Sequence, residues 1–271
     1  MAGFLFKGTS GLVAPGTLLQ SATKIFVENA MTWDWQVFLN DDGSGGRTYL
    51  AWMMDAWGWT LAVAGTSWVV AVTIGALMGT LRTLPNSPWL VRLANVWVEL
   101  FRNIPLLVQV FLWYFVVPKV FPAFQQVSGF VLVVFALGFF TSARIAEQVR
   151  AGVQALPKGQ RMAGMAMGFT TAQTYRYVIL PMAFRIILPP LTSESMNLLK
   201  NSSIAFAVSI AELTMFAMQA QEETSRGIEI YLAVTALYAF SAFAVNRVFS
   251  FIEKKVQIPG FIVAGGTGGG H

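Results

Sequence analysis

The chain has 271 residues, of which 55% are hydrophobic and only 11% are charged. A soluble globular domain carries about 25% charged residues, and the mean hydropathy here is +0.60, so the composition excludes that class and predicts an integral membrane protein. Cysteine is absent, which excludes a disulfide framework and thiolate chemistry. The net charge of +5 would suggest a nucleic-acid partner in a soluble chain. Here the basic residues lie between apolar segments and indicate membrane topology instead.

Residues 1–57 are predicted to form an N-terminal periplasmic or interfacial segment. The apolar stretch at 14–27 is too short and too polar to span a bilayer, and no clear signal-peptide cleavage site follows it. Residues 32–57 contain four tryptophans and a glycine-rich turn. Because tryptophan and tyrosine settle at headgroup depth, we expect this part of the chain to lie at the outer membrane surface.

Five apolar segments follow and define a predicted transmembrane domain over residues 58–256. Each of these segments is a candidate span by its length and apolar character. The second is interrupted, because Pro105 and Pro118 bracket its apolar run. The spans are predicted at residues 59–81, 89–121, 130–149, 178–204 and 228–251. Residues 257–271 end in GGTGGGH, which holds the single histidine of the sequence, and they are predicted to be a flexible tail.

Basic residues are concentrated on one side of this arrangement. They follow the first, third and fifth spans, whereas the segment between the fourth and fifth spans is mostly acidic. The positive-inside rule therefore predicts a cytoplasmic C-terminus and an N-terminus outside. The basic residues are Arg82, Arg92, Arg102, Arg150, Lys158, Arg161, Arg176, Lys254 and Lys255.

Residues 156–181 form a polar-edged segment between the third and fourth spans. Pro157 suits the first position of a short helix, and Gly168 can end it in a left-handed turn. Thr170 or Thr171 can then cap the next helix. An apolar face follows from the helical spacing of Met162, Met165, Ala166 and Phe169. Spacing alone leaves two interpretations, namely a connector lying on the membrane surface and a helix that leans on a partner.

Residue order adds to this pattern. The run AEQVRAGVQALPKGQRMAGMAMGFTTAQTYRYVILP resembles the cytoplasmic loop of the permease subunits of bacterial ABC importers, in particular the polar amino-acid branch and within it the glutamate/aspartate permeases. A second run, VELFRNIPLLVQVFLWYFVVP at 98–118, is similar to the pattern of the amino-acid permeases. The resemblance covers roughly residues 32–259. It implies an all-α integral membrane protein with the ABC type I importer permease fold, which has five transmembrane helices and a cytoplasmic coupling helix.

The resemblance also implies that this loop seats in a cleft of an ATPase subunit. In the family the loop reads Glu-Ala-Ala, and then Gly after three further residues. Met162 holds the place of the glutamate here, so the family's acidic residue is missing. The residues that the resemblance assigns to ATPase coupling are Gln160, Met162, Ala163, Gly164, Met165, Ala166, Gly168 and Phe169.

Further partners are implied in the same way. The resemblance implies a second permease subunit, as a homodimer or heterodimer, and a periplasmic or lipid-anchored amino-acid-binding protein at a bacterial inner membrane. The sequence has no P-loop, so the energy must come from another chain. It also shows no spacing typical of catalytic residues. We therefore predict a transport subunit rather than an enzyme, in contact with lipid, with no cofactor, no metal site and no nucleic acid.

Buried polar groups within the spans are the candidates for the substrate path, since charges inside a bilayer are rare and usually functional. The candidates are Gln109, Arg144, Glu194, Asn197, Lys200 and Asn201. A guanidinium binds carboxylates bidentately and stays charged when partly buried, so Arg144 is predicted to bind an acidic substrate. Lys200 would supply a second cation, and Glu194 an acceptor. Gln109 follows the helix break at Pro105, and broken helices are tolerated where they line a cavity.

Structural alternatives stay open at this point. Glu194 pairs with Lys200 or Arg144 and only joins helices, or Arg144 pairs with Glu147 one turn away. The break at Pro105 is then a kink that serves packing alone. For the whole chain, the alternative is an ion-coupled secondary amino-acid transporter or channel, in which Glu194 binds a proton or ion. Five spans without an inverted repeat argue against it.

Overall fold

A computed structural model describes residues 33–256, and within this range the regular secondary structure is helical apart from one isolated bridge between Asp41 and Thr48. The predictions for residues 1–32 and for the tail at 257–271 lie outside the described residues. A 3₁₀ turn at Trp35–Leu39 precedes the first long helix. The helices are α1 Tyr49–Leu81, α2 Pro88–Asn103, α3 Leu106–Val120, α4 Gly129–Gln154, α5 Lys158–Ala166, α6 Thr171–Val208, α7 Leu213–Thr224 and α8 Gly227–Val256.

Three of these helices, α1, α4 and α8, are each long and apolar enough to cross a membrane. Two further spans are bent pairs, α2 with α3 at 106° and α6 with α7 at 53°. Counting each pair as one span gives five. The predicted all-α membrane fold is therefore confirmed. The interruption predicted at Pro105 falls at the sharper of the two bends.

The helix ends differ from the predicted span ends, because polar caps extend the helices beyond the apolar runs. The Thr48 side chain accepts a hydrogen bond from the Ala51 N–H, so α1 begins at Tyr49 rather than at residue 59. The predicted domain boundary at residues 57 and 58 therefore falls inside α1. The helix α6 likewise begins before its apolar run, at Thr171 rather than at residue 178.

The central helix of the described fold is α4. Most of its apolar window is buried, whereas less than a third of the corresponding windows of α1 and α8 is buried. Glycines allow α1 to approach it closely, because a Cβ at Gly75 would lie 2.7 Å from Ile145 and a Cβ at Gly79 would lie 2.5 Å from Val149. Small residues serve membrane helix pairs in this way, since dispersion contacts replace the hydrophobic effect between helices in lipid.

The amphipathic helix α2 lies against α4 and α1. Its buried face contains Ala94 and Val98, which pack beside Ala143 and Ala146 of α4. Polar contacts then fix its position along α4. The Trp97 Nε1–H donates to the Ser142 hydroxyl at 3.0 Å. This packing places the end of α2 beside the middle of α4, where the charged residues described below meet.

Candidate functional site

The predicted coupling helix is present as α5, Lys158–Ala166. Pro157 is its N-cap, one position before the predicted place. Gly168 has a φ of +84°, and the Phe169 N–H donates to the Gly164 carbonyl at 3.1 Å. This left-handed ending confirms the role predicted for Gly168. Thr170 caps the following helix in a reciprocal capping box with Gln173, which decides between the two candidate threonines.

The exposed side of α5 is a methionine surface. Met162 is 67% exposed, Met165 is 56% exposed and Met167, in the turn after the helix, is 74% exposed. Phe169 is only half-buried, and its ring lies 6.3 Å from that of Tyr177. The predicted face is therefore present, and Met167, which the helical spacing did not include, extends it. Met side chains adapt to irregular partner surfaces because they are flexible and polarizable.

The other residues predicted to contact the ATPase divide between the two sides of α5. Ala163 and Ala166 are exposed beside the methionines. Gly164 is buried instead, and a Cβ there would lie 3.0 Å from the Thr174 methyl group, so this residue lets α5 lie close to α6. The Gln160 side-chain oxygen is buried and has no hydrogen-bond partner among the described residues.

Arg144 lies on α4, ten residues before the end of that helix at Gln154, or about 15 Å along its axis. Its Nη1 is 3.8 Å from the Glu194 Oε2 on α6. Its guanidinium also lies 5.6 Å from the centre of the Phe140 ring. A separation of 3.8 Å is too long for a hydrogen bond, so Arg144 is held in a loose ion pair. Of the alternatives left open by the sequence, the structure forms the Arg144–Glu194 pair.

Glu147 has different partners from those that the sequence suggested. Its Oε1 accepts a hydrogen bond from the Arg102 Nη1 at 2.8 Å and lies 3.0 Å from the Arg82 Nη1. The alternative of an Arg144–Glu147 pair is therefore wrong. Glu147 lies on the side of α4 that faces α1 and α2, where it contacts both Arg82 and Arg102. Arg144 lies on the side of α4 that faces α6. The Arg82 Nε–H also donates to the Asn95 side chain at 2.7 Å, which joins the end of α1 to α2.

The other polar residues of α6 do not join this ion pair. Lys200 is exposed, and its ammonium group pairs with no carboxylate among residues 33–256, so the proposed Glu194–Lys200 pair is not formed. Asn197 and Asn201 are half-buried on the same helix face as Glu194. Within the described residues, the structure therefore brings Arg144 and Glu194 together and leaves the second predicted cation elsewhere.

Gln109 donates hydrogen bonds to the backbone at the bend between α2 and α3. Its side chain is buried, and its Nε2 donates to the Phe101 carbonyl at 2.9 Å and to the Ile104 carbonyl at 2.8 Å. The last carbonyls of a helix have no partner within the helix, and Pro105 cannot supply an N–H. The Gln109 amide, which was predicted to line the substrate path, thus supplies hydrogen bonds to the carbonyl groups at the end of α2.

A cleft of about 490 Å³ opens between α2 and α4. Its lining residues are Arg102, Phe140, Arg144, Glu147 and Gln148. Sequence reasoning counted Arg102 only among the basic residues that indicate the cytoplasmic side and did not consider Gln148. The position of Arg102 just before the helix break at Pro105 could have marked it as a candidate site residue. Its contact with α4 could not be predicted, because no sequence spacing links the two.

A buried carboxylate, Glu212, was also missed. It caps α7 at the bend with α6, where it accepts hydrogen bonds from the Thr214 and Met215 N–H groups, each at 2.9 Å. The Tyr238 hydroxyl of α8 donates to it at 2.8 Å. Sequence reasoning counted Glu212 only as part of the acidic segment between the fourth and fifth spans, whereas the chain packs back into the bundle there.

Comparison with known proteins agrees with this architecture. Residues 71–258 match the model of the binding-protein-dependent transport system inner membrane component. The glutamate/aspartate import permease protein GltJ of Escherichia coli (strain K12) is 39% identical over 241 residues, which cover 85% of this chain and 98% of that protein. The probable glutamine ABC transporter permease protein GlnM of Bacillus subtilis (strain 168) is 33% identical over 204 residues, or 75% and 93% of the two chains.

A solved structure has the same fold. The crystal structure of an amino acid ABC transporter with histidines matches with a TM-score of 0.69 at 30% identity, over 83% of this chain and 100% of that one. The family consists of transport components that work with an ATPase subunit and a substrate-binding protein. The apolar helices and the family match make the chain a multi-pass inner-membrane protein. It belongs to the binding-protein-dependent transport system inner membrane components and is the permease of an ABC importer for amino acids.

Proposed function

We propose that this permease imports glutamate or aspartate, with energy from ATP hydrolysis in a separate ATPase subunit. In this proposal the channel forms between this chain and a second permease, either a copy of itself or a related subunit. A periplasmic or lipid-anchored binding protein delivers the amino acid. The substrate class is that printed in the name of the relative from Escherichia coli, and the observation that carries it here is the half-exposed, loosely paired Arg144.

The orientation follows from charge and from the place of α5. Lys158 and Arg161 lie on α5, and Lys254 and Lys255 lie at the end of α8. The positive-inside rule places these groups in the cytoplasm, with the C-terminus there and the N-terminus outside. An ATPase in the cytoplasm can then reach α5. This agreement between charge and coupling helix supports the proposed topology.

The methionine surface of α5, formed by Met162, Met165 and Met167, is the proposed contact with the ATPase. Three large apolar side chains exposed in one short loop are unfavourable in water, because each leaves apolar area unburied. A cleft in a partner would cover them. The loop lacks the family's acidic residue, so this contact relies on apolar packing rather than on an ion pair made by that residue.

Arg144 is the proposed substrate cation. A charge-assisted pair at hydrogen-bond distance would hold the guanidinium firmly, but the Glu194 Oε2 is 3.8 Å away. A substrate carboxylate can therefore approach Arg144 without first breaking a strong hydrogen bond. The charge of Glu194 remains near enough to interact with the ammonium group of an amino acid.

ATP-driven uptake in proteoliposomes tests this proposal. The permease, its ATPase and its delivery protein are reconstituted with all ion gradients collapsed, and labelled glutamate, aspartate and glutamine are compared. We expect uptake that depends on ATP and favours the two acidic amino acids. Uptake that ran on an ion gradient without ATP would instead support a secondary transporter. ATP-driven uptake that favoured glutamine would refute the acidic substrate class.

A further inference from the structure

We propose that the cleft between α2 and α4 is the acidic amino-acid site of this chain, with Arg102 as a second carboxylate-binding group and Gln148 as an acceptor for the substrate ammonium. This inference rests on the proposed function, because it presumes an acidic amino acid as substrate. It replaces Lys200 as the second cation. The observation behind it is that Arg102 and Arg144 line one cleft of about 490 Å³, a volume typical of small-molecule sites.

Both guanidinium groups are accessible from this cleft. The Arg102 side chain is 51% exposed and the Arg144 side chain is 44% exposed. The Phe140 ring lies under Arg144 and restricts its orientation. Arginine binds a carboxylate through two parallel N–H groups, so two arginines in one cleft match a molecule with two carboxylates.

If Arg102 moves away from Glu147, the Glu147 carboxylate still has Arg82 as a partner. Arg82 contacts the same Oε1 atom at 3.0 Å, and its side chain is only 7% exposed. The Asn95 side chain also holds Arg82 in place. Arg82 therefore keeps Glu147 neutralised when Arg102 turns to a substrate carboxylate. A partly buried carboxylate such as Glu147 would oppose that movement if Arg102 were its single partner.

The charge count of this cluster favours a substrate with one net negative charge. Arg82, Arg102 and Arg144 face Glu147 and Glu194, which leaves one positive charge in excess. An acidic amino acid carries two carboxylates and one ammonium, so it neutralises the cluster. A neutral amino acid such as glutamine leaves this excess charge without a counter-charge.

Acceptors for the ammonium group are present beside the two arginines. The Gln148 side-chain oxygen is buried, and neither it nor the Glu194 Oε2 has a hydrogen-bond partner among the described residues. Gln148 lines the cleft. Buried polar atoms without partners are rare in folded proteins and call for an explanation. An ammonium group carries three N–H donors and would satisfy the Gln148 oxygen.

The test compares three substrates in the reconstituted importer with a single delivery protein. Glutamate has both carboxylates and the ammonium, glutamine lacks the side-chain carboxylate, and glutarate lacks the ammonium. The cleft predicts that Arg102→Gln lowers the apparent affinity for glutamate about tenfold more than that for glutamine. It predicts that Gln148→Leu weakens glutamate and glutamine but not glutarate. Arg92→Gln, which changes an exposed arginine of α2, is the control and should match the wild type.

The outcomes separate this inference from the proposed function. If Arg102→Gln and Gln148→Leu behave as Arg92→Gln does while the wild type still favours glutamate, the cleft assignment is overturned and acidic import stands. If the wild type favours glutamine, the proposed function itself fails. Arg102→Lys keeps the pair with Glu147 and therefore decides the matter if Arg102→Gln does not fold. Arg102→Lys keeps the positive charge but cannot bind a carboxylate through two parallel N–H groups, so we expect a reduced preference for glutamate, and an unchanged wild-type preference would overturn the cleft assignment.

Discussion

The predicted coupling helix α5 and the cleft between α2 and α4 depend on the sequence in opposite ways. The helix α5 and its caps come from one continuous run of residues, so its helical spacing, its turn at Gly168 and its cap at Thr170 are local features. The cleft joins Arg102 to Glu147 across 45 residues of chain. A local sequence pattern therefore locates the first region, whereas only the packed helices show the second. The same difference predicts which substitutions act on one region alone.

The largest effect is expected from Met165→Asp in α5. A charge in the centre of the methionine surface would have to be desolvated when the ATPase covers it, so we expect loss of both transport and stimulated ATPase activity. Membrane insertion should be unchanged, because Met165 is exposed. Thr171→Asp is the control, since a carboxylate in the first turn of α6 is favourable. Normal coupling in the Met165 variant would remove α5 from the ATPase contact.

A large effect on stability is expected from Glu212→Ala at the bend between α6 and α7. The change leaves two backbone N–H groups and the Tyr238 hydroxyl without their acceptor. We expect the free energy of unfolding to fall by about 2 kcal/mol or more, measured as a lower Tm in detergent. Glu212→Gln should restore part of the loss. Glu222→Ala, on an exposed site of α7, should change little, and an equal effect of both alanines would contradict this role.

An intermediate effect is expected from Gln109→Leu, which tests whether the bend positions the cleft. The Phe101 and Ile104 carbonyls lose their donor, which costs about 1–3 kcal/mol for buried groups. Because Arg102 lies between these two residues in the chain, we also expect weaker glutamate binding. Gln125→Leu in the exposed loop after α3 serves as the control. A variant with a lower Tm but unchanged glutamate affinity would separate the bend from the cleft.

The smallest effect is expected from Thr170→Ala, which removes the capping box of α6. Loss of an N-cap costs about 1 kcal/mol, so the Tm should fall slightly and transport should persist. Thr171→Ala changes the neighbouring threonine, whose side chain makes no cap bond, and should be nearly neutral. If both variants lost the same stability, the cap assignment to Thr170 would be wrong.

Much of the fold could be predicted because membrane spans, caps and charge bias are properties of continuous segments. The five spans, the break at Pro105 and the ends of α5 all follow from such patterns. The Arg144–Glu194 pair was among the alternatives that the sequence left open, but the sequence could not decide between them. The partners of Glu147 could not be predicted, since the intrahelical spacing suggested a pair with Arg144 that the packing of α2 and α6 replaces. Glu212 was missed for a similar reason, because a carboxylate at the edge of an apolar run resembles a surface residue.

Arg144 gives the most direct test of the central claim, that this permease carries acidic amino acids past a cation in its membrane domain. The measurement is the ratio of apparent affinities for glutamate and glutamine, for the wild type, Arg144→Gln and the control Arg92→Gln. Loss of one charge-assisted contact of about 1.5–3 kcal/mol predicts a fall of roughly tenfold to a hundredfold in glutamate affinity, with glutamine less affected and the control unchanged. Because Arg144→Gln removes the excess positive charge of the cluster, an unchanged ratio of glutamate to glutamine affinity in this variant would contradict the account.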